Sequence, residues 1–419
     1  MTRPKILLVH EFYQTHGPSG EDSMFLAERR LLEEGGHEIR SFELHNDAIG
    51  GSSWARAQVA IESLWSVPAY RALRRAIREF RPDIVHCHNT FPLISPSAYR
   101  AAHDEGVAVV QTLHNYRLIC PSGLLQRDQR PCEDCVGHVP WSSVRHGCYR
   151  GSRAASAAAA AMLVLNRALG TFRTEVDRYI VLTEFARTLL IRGGLPAERL
   201  VVRANGLATD PGVGRGDGGY ALFVGRLTAE KGVSTLIEAW SAYHPLPLVV
   251  AGDGPLRAGL ESQARAAAAP IEFLGQVQRA RVLDLMKRAT LLVIPSECYE
   301  GMPVTFLEAT ACGCPIAASK LGGLAELMVE GVHGAHFSAG DPQSIIGAIT
   351  RLLASPERLS AIRHRNRALF EARYAPAEAL RSLNAVYHQA MAAHGIEPSF
   401  ARAQRSRSTS ETNTGPEMR

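Results

Sequence analysis

Glu300 and Glu308 stand at the two ends of the stretch EGMPVTFLE, with seven residues between them. Pro303 falls where a helix should begin, because its fixed φ and missing N–H suit the first helical position. Gly313 falls where that helix should stop, with Pro315 just beyond. The result is a predicted helix of roughly 10 residues, near the usual length. Glu308 is its odd member, flanked by Phe306, Leu307, Ala309 and Ala311. At about 100° per residue, it shares a face with Val304, Thr305, Ala311 and Cys312, all small. The carboxylate is therefore expected to look out over cleared space. A buried carboxylate is costly unless it is paired or hydrogen-bonded. The free N–H groups near Val304 and Thr305 attract an anion. An anion site with one acid beside it and another a turn deeper suits a phosphate joined to polyhydroxylated groups, the chemistry of a nucleotide sugar. The competing reading is a surface turn, with Glu300 solvated and Glu308 in a structural ion pair.

Two cations bear on the same chemistry. Arg226 and Lys231 lie in GRLTAEKG, just past the apolar run 220–224. Arg grips oxygens in a fork and Lys adds a point charge, which together suit a diphosphate. A solvated loop is the plain alternative. In the first half of the chain, His88 and His114 each follow a short apolar run.

The elements that place these residues alternate. Short apolar runs give way to helical patterns in both halves, which implies parallel sheets. In such sheets ligands bind outside the carboxyl ends of the strands. The loops 10–20, 88–91 and 114–117 then gather at one edge in the first half. The loops starting at Gly225, Ala251, Gly275 and Ser296 gather in the second. Asn205-Gly206 and the Gly-rich run 211–219 mark a boundary. The expected organisation is a first domain over 1–203 and a second over 204–375. A terminal helix over 376–396 crosses back, and 397–419 reads as a disordered tail.

Composition sets outer limits. At 419 residues the chain exceeds what one core supports. Its net charge of +5 permits contact with anionic lipid or nucleotide phosphate without demanding either, and no nucleic acid is expected. The Ala-rich run 154–165 is too short to span a bilayer. The opening MTRPKILLVHEF reads as a first strand, not a signal peptide. A cytoplasmic protein with reduced thiols is the expectation. The loop 10–20 carries Gly17 and Gly20 without GxGxxG spacing, which argues against nicotinamide dinucleotides, and no GxxxxGK[ST] occurs, which argues against P-loop NTPase chemistry. The helical segment 69–80 carries Leu73, Ile77 and Phe80 on one face and Arg71, Arg74, Arg75 and Arg78 on the other. That basic face suits anionic membrane or plain solvent. Cys120, Cys132, Cys135 and Cys148 mark a loop-rich insert around one CxxC. They suit a structural zinc or remain free thiols in a packed subdomain.

The combination GRLTAEKG, VVAGDGPL, FLGQV and EGMPVTFLEATACGCPIAAS resembles the carboxyl-terminal half of family 4 glycosyltransferases. The spacing of Glu300 and Glu308 matches that family's E-x7-E motif. The amino-terminal half resembles the family's acceptor domain more loosely, through Gly17–Gly20, PDIVH at 82–86 and TLH at 112–114. The resemblance covers roughly residues 5–390; the cysteine insert is shared with only some members.

The resemblance implies the α/β GT-B fold, two Rossmann-like doubly wound domains facing across a cleft. It implies retaining transfer from a nucleoside diphosphate sugar to a glycan or lipid-linked acceptor, in cell-surface polysaccharide or glycolipid synthesis. Arg226 and Lys231 would neutralise the leaving diphosphate in place of a metal. Glu308 would accept from the ribose diol. Glu300 would hold the sugar's hydroxyls, with His114 approaching from the other domain. Donor contacts would also come from Gly17, Gly225, Gly275, Val277, Met302, Pro303, Val304 and Thr305. No nucleophile is assigned and no catalytic cofactor is expected. The rival readings are a GT-B epimerase or phosphorylase and a non-catalytic nucleotide-sugar sensor.

Overall fold

The computed structural model describes residues 3–13, 19–48 and 52–395. Gly17 and the tail 397–419 lie outside the described residues.

Among the described residues, eight strands belong to the first half: β1 Ile6–Phe12, β2 Ile39–His45, β3 Ile84–Cys87, β4 Ala108–Thr112, β5 Gln126–Arg127, β6 Arg130–Pro131, β7 Arg178–Val181 and β8 Leu200–Val202. Six follow in the second half: β9 Ala221–Val224, β10 Leu248–Ala251, β11 Ile271–Gly275, β12 Leu291–Ile294, β13 Ile316–Ser319 and β14 Gly334–Phe337. The first sheet runs β2-β1-β3-β4-β7-β8 and the second β11-β10-β9-β12-β13-β14. Every pairing within these two sheets is parallel. A parallel sheet is covered by helices on both faces, so its strands read as unbroken apolar runs. Ile6, Leu7, Leu8 and Val9 show the consequence: all four are fully buried. Each sheet separates two apolar layers. Two Rossmann-like α/β domains face one another, the GT-B arrangement.

Caps fix the helices that reach the cleft. Ser19 Oγ accepts from Asp22 N at 3.1 Å and Asp22 Oδ2 accepts from Ser19 N at 2.8 Å, a reciprocal cap on the helix Gly20–Glu34. Pro303 is the cap, not the first turn, of the helix Val304–Cys312 (φ −61°, ψ 134°). Gly313 ends it in the left-handed region at φ 68°, where a side chain would be strained.

The helix Pro376–His394 leaves the second domain and packs on the first. Leu383, Val386, Tyr387, Ala390 and Met391 join Ile6, Leu8 and Ile84 in one buried layer. The two chain crossings between domains are themselves bonded, with Leu207 N donating to Tyr374 O at 3.1 Å.

The insert folds as the antiparallel pair β5–β6 followed by the short helix Trp141–His146. It reaches the other domain at two points. Gln126 Nε2 donates to Glu297 O at 3.1 Å and the Tyr299 hydroxyl donates to Glu133 at 3.0 Å.

Candidate active site

Three glycine-bearing loops are stitched together at the carboxyl edge of the second sheet. Gly225 N donates to Ala251 O at 3.0 Å, and Gly252 N donates to Gly275 O at 2.8 Å. A Cβ at Gly252 would lie 1.8 Å from Gly225 O, so a side chain there would force these loops apart. Val277 packs, half-buried, against the core beneath. Pro295–Met302 comes alongside: a Cβ at Gly232 would fall 1.8 Å from Pro295 O.

This crowding brings Lys231 to Glu300. Lys231 Nζ donates to Glu300 Oε1 at 2.6 Å, and Ser296 Oγ donates to the same oxygen at 2.7 Å. Burial works to raise the Glu300 pKa, but the Lys231 charge and these hydrogen bonds hold it below the ordinary value. Burial works to lower the Lys231 pKa, and the Glu300 charge overrides it, to about 12. Both groups are therefore ionised at neutral pH, and Lys231 keeps a positive charge beside the start of the helix Val304–Cys312.

Glu308 is 4% exposed, and its environment differs from the open space its neighbours imply. Arg279 Nε donates to Glu308 Oε1 at 3.0 Å. The small residues clear the helix face, but a guanidinium from the helix Arg279–Arg288 lies across it. Burial still raises the Glu308 pKa against that cation. Arg279 escapes the sequence reading because 29 residues separate it from its partner. The available signal was a cation two residues past Val277, at the start of the helix that follows a loop assigned to the ligand edge.

Arg226 lies in the same loop as Lys231 but does not join the cluster. It is exposed, and among the described residues no ion pair or side-chain hydrogen bond holds it.

The first domain closes the other side. A Cβ at Gly301 would lie 3.4 Å from His114 O, and one at Gly20 would lie 3.6 Å from Val304 Cγ2. The His114 loop thus touches the Glu300 loop, and the starts of the helices Gly20–Glu34 and Val304–Cys312 face each other. His114 Nε2 meets His88 Nδ1 at 2.9 Å. Burial first, and then the His88 beside it, lowers the His114 pKa well below the ordinary value, so its imidazole is neutral. A cavity of about 30 Å³ behind this loop is lined by Glu21, His88, His114, Asn115 and Arg117 among others. Glu21 accepts from the Tyr13 hydroxyl and from Asn115 Nδ2, each at 3.2 Å, and burial pushes it up to about 7.

Two of the insert's thiols, Cys135 and Cys148, are raised first by burial and then by neighbouring sulfurs. Cys135 is pushed up to about 11, first by burial and then by Cys120, with smaller contributions from Cys132 and Cys148. All four are free thiols. Among the described residues, the one set of three ligand-type groups converging within 4.8 Å is Glu28, His86 and His88.

Comparison with known proteins fits this geometry. The model for glycosyl transferases group 1 matches residues 213–369, and that for the glycosyl transferase 4-like domain matches 29–206. The glycogen synthase of Mycobacterium tuberculosis is 29% identical over 290 residues, covering 67% of this chain and 62% of that one. The D-inositol 3-phosphate glycosyltransferase of Acidothermus cellulolyticus is 27% identical over 303 residues, with coverage of 67% and 62%. The chain thus spans under two thirds of the length of these relatives. Among solved structures, sucrose-phosphate synthase from Thermosynechococcus elongatus superposes with a TM-score of 0.69 at 17% identity, over 93% of this chain and 100% of that one. Anabaena HepE in complex with UDP gives 0.64 at 18% identity, over 90% and 98%. The fold is GT-B. The chain belongs to the group 1 glycosyltransferases, family 4.

Proposed function

We propose that this protein is a retaining glycosyltransferase. It moves a sugar from a nucleoside diphosphate sugar to a glycan or lipid-linked acceptor, without a catalytic metal. The observation that carries this reading is the Lys231–Glu300–Ser296 cluster beside the start of the helix Val304–Cys312, with the His114 loop in contact from the opposite domain. Relatives named as glycosyltransferases and a fold neighbour solved with UDP support it.

In this reading the donor's diphosphate lies at the free N–H groups of Val304 and Thr305. Lys231, now paired with Glu300, turns to balance the diphosphate's charge as Glu300 takes the sugar. Arg226, exposed on the same loop, supplies the second cation. As the bond to the sugar breaks, negative charge grows on the diphosphate, and these groups stabilise it in place. Glu308 accepts from the ribose diol once Arg279 moves aside. Glu300 holds the sugar's hydroxyls, and the neutral His114 is a hydrogen-bonding partner for the sugar from the facing domain. Backbone at Gly275 and Val277 meets the base, with Gly225, Met302 and Pro303 completing the wall. The closed cleft aligns the reactants and keeps water away from the sugar.

The acceptor is placed at a membrane surface, on the cytoplasmic side, in the synthesis of a surface polysaccharide or glycolipid. Among the described residues, no helix is long and apolar enough to cross a membrane. Contact with anionic lipid falls instead to the helix Val67–Phe80 and to Trp54 and Ile61, which are 76% and 71% exposed on the preceding helix.

A thermal-shift screen against nucleoside diphosphate sugars tests the core of the proposal, because a ligand that binds only the folded state raises its melting temperature. One donor should stand out, and it should be consumed when a membrane extract supplies acceptor. No shift with any donor would sink the reading. A shift with no turnover would favour a sensor.

A further inference from the structure

Behind His114 lies a buried file of polar side chains that the transfer chemistry leaves unused. His114 Nε2 meets His88 Nδ1 at 2.9 Å. His88 Nε2 lies 3.2 Å from Glu28 Oε1, a close contact short of hydrogen-bond alignment, and each atom is otherwise without a hydrogen-bond partner among the described residues. Glu28 Oε2 accepts from Arg203 Nη1 at 2.8 Å. Arg203 Nη2 in turn donates to Ala379 O at 3.0 Å, in the terminal helix that crosses back. His86 Nδ1 also stands 3.2 Å from Glu28 Oε1, but it is engaged by the Tyr387 hydroxyl at 2.9 Å. The side chains of His88, Glu28 and Arg203 are 1%, 7% and 4% exposed.

Hydrogen-bond direction along this file follows from its far end. Arg203 can only donate, and its charge holds Glu28 as a carboxylate. A carboxylate only accepts, so His88 Nε2 must carry a proton. Glu28 and Arg203 already cancel, and a further cation buried beside them would stand uncompensated. His88 is therefore neutral and presents a bare Nδ1. His114 must then donate from Nε2, which leaves its own Nδ1 as the open acceptor. The other imidazoles facing His114 are His10, tied to Asp22 at 2.8 Å, and His86.

We propose that Glu28, acting through His88, is a positioning residue that fixes the tautomer of His114, with the proton on Nε2 and a lone pair on Nδ1 for a hydroxyl of the donor sugar. The inference rests on the transferase reading for the identity of that hydroxyl. The tautomer itself is independent of it.

Nitrogen NMR of protein labelled in its histidine rings reads the tautomer directly, with His114 signals identified by their loss in His114→Gln. Wild-type protein without substrate should show His114 protonated at Nε2 and bare at Nδ1. The reverse tautomer, or an imidazolium at neutral pH, overturns the proposal. In Glu28→Gln the amide oxygen turns to Arg203 and the NH2 group to His88, which leaves Arg203 donating and reverses the donors from residue 28 to His88 and from His88 to His114. That variant should flip His114 and lower kcat about 10- to 100-fold, the range found where the partner that orients a metal-bound imidazole is lost. Its KM for donor and its affinity for the bare diphosphate should stay as in wild type. A folded Glu28→Gln with an unchanged tautomer or full kcat refutes the idea. If the variant does not fold, the wild-type spectrum alone decides. A failed donor screen would remove the transferase reading and leave this measurement intact.

Discussion

Glu300 and Glu308 meet different cations, and the difference divides their work. Glu300 is paired with Lys231 at the mouth of the helix, whereas Glu308 sits a turn deeper under Arg279. Glu308→Ala should weaken both the nucleotide sugar and the bare diphosphate, because a charged hydrogen bond is worth about 1.5–3 kcal/mol, or roughly tenfold to over a hundredfold in affinity. Glu300→Ala should leave the bare diphosphate bound at least as well, since it frees Lys231. It should lower kcat/KM for transfer instead. Calorimetric titration of the diphosphate into both variants checks this; equal losses would contradict it. The pairing of the two acids was legible in their seven-residue spacing around a proline and a glycine. Their cations were legible only in part. Lys231 lies in a strand-following loop and so pointed itself out. Arg279 reaches Glu308 only because two strand-helix units stack, and no local pattern encodes that approach.

At the scale of elements, the buried strands were readable because a parallel sheet covered on both faces needs unbroken apolar runs. Helices with little apolar contrast were not. Pro356–Arg373 carries charge almost all round, and its buried residues are Ile362, Asn366 and Phe370. The insert is the element whose position matters more than its sequence suggested. It touches the 296–302 loop through Glu297 and Tyr299, on either side of Cys298. We propose that Cys120, Cys132, Cys135 and Cys148, free thiols gathered in this insert around one CxxC, draw together to hold one structural zinc; among the described residues they are not within 4.8 Å of one another as a set of three or more. Elemental analysis of purified protein should find about one equivalent, whereas less than about a tenth would end the idea. Chelation, where zinc is present, should loosen the insert and lower transfer activity along with it.

At the scale of the whole molecule, the basic face of the helix Val67–Phe80 is thinner than its sequence implies. Arg74 and Arg78 both pair with Glu105, at 2.5 and 2.9 Å. Arg71 and Arg75 remain to meet an anionic surface. Replacing Arg71 and Arg75 by Gln should weaken binding to anionic vesicles several-fold, at about 1 kcal/mol per charge near the surface. Replacing Arg74 and Arg78 should do less. Nucleotide affinity should stay unchanged in both. Wild-type vesicle binding that ignores salt would count against an electrostatic dock.

The paired crossings near Leu207 and Tyr374 have a mechanical consequence. Two strands that connected the domains independently would let them slide, shear or twist. Here the strands are tied side by side, and the gap between them is so narrow that a Cβ at Gly206 would strike Ala379 Cβ at 2.2 Å. A tie of this kind would act as a hinge pin and favour one motion of the two halves, a swing about a single axis. A door hung this way opens widest at the far rim and least beside the pin. A substrate entering from the rim meets a wide gate, while groups close to the pin, Arg203 among them, keep their partners through the stroke.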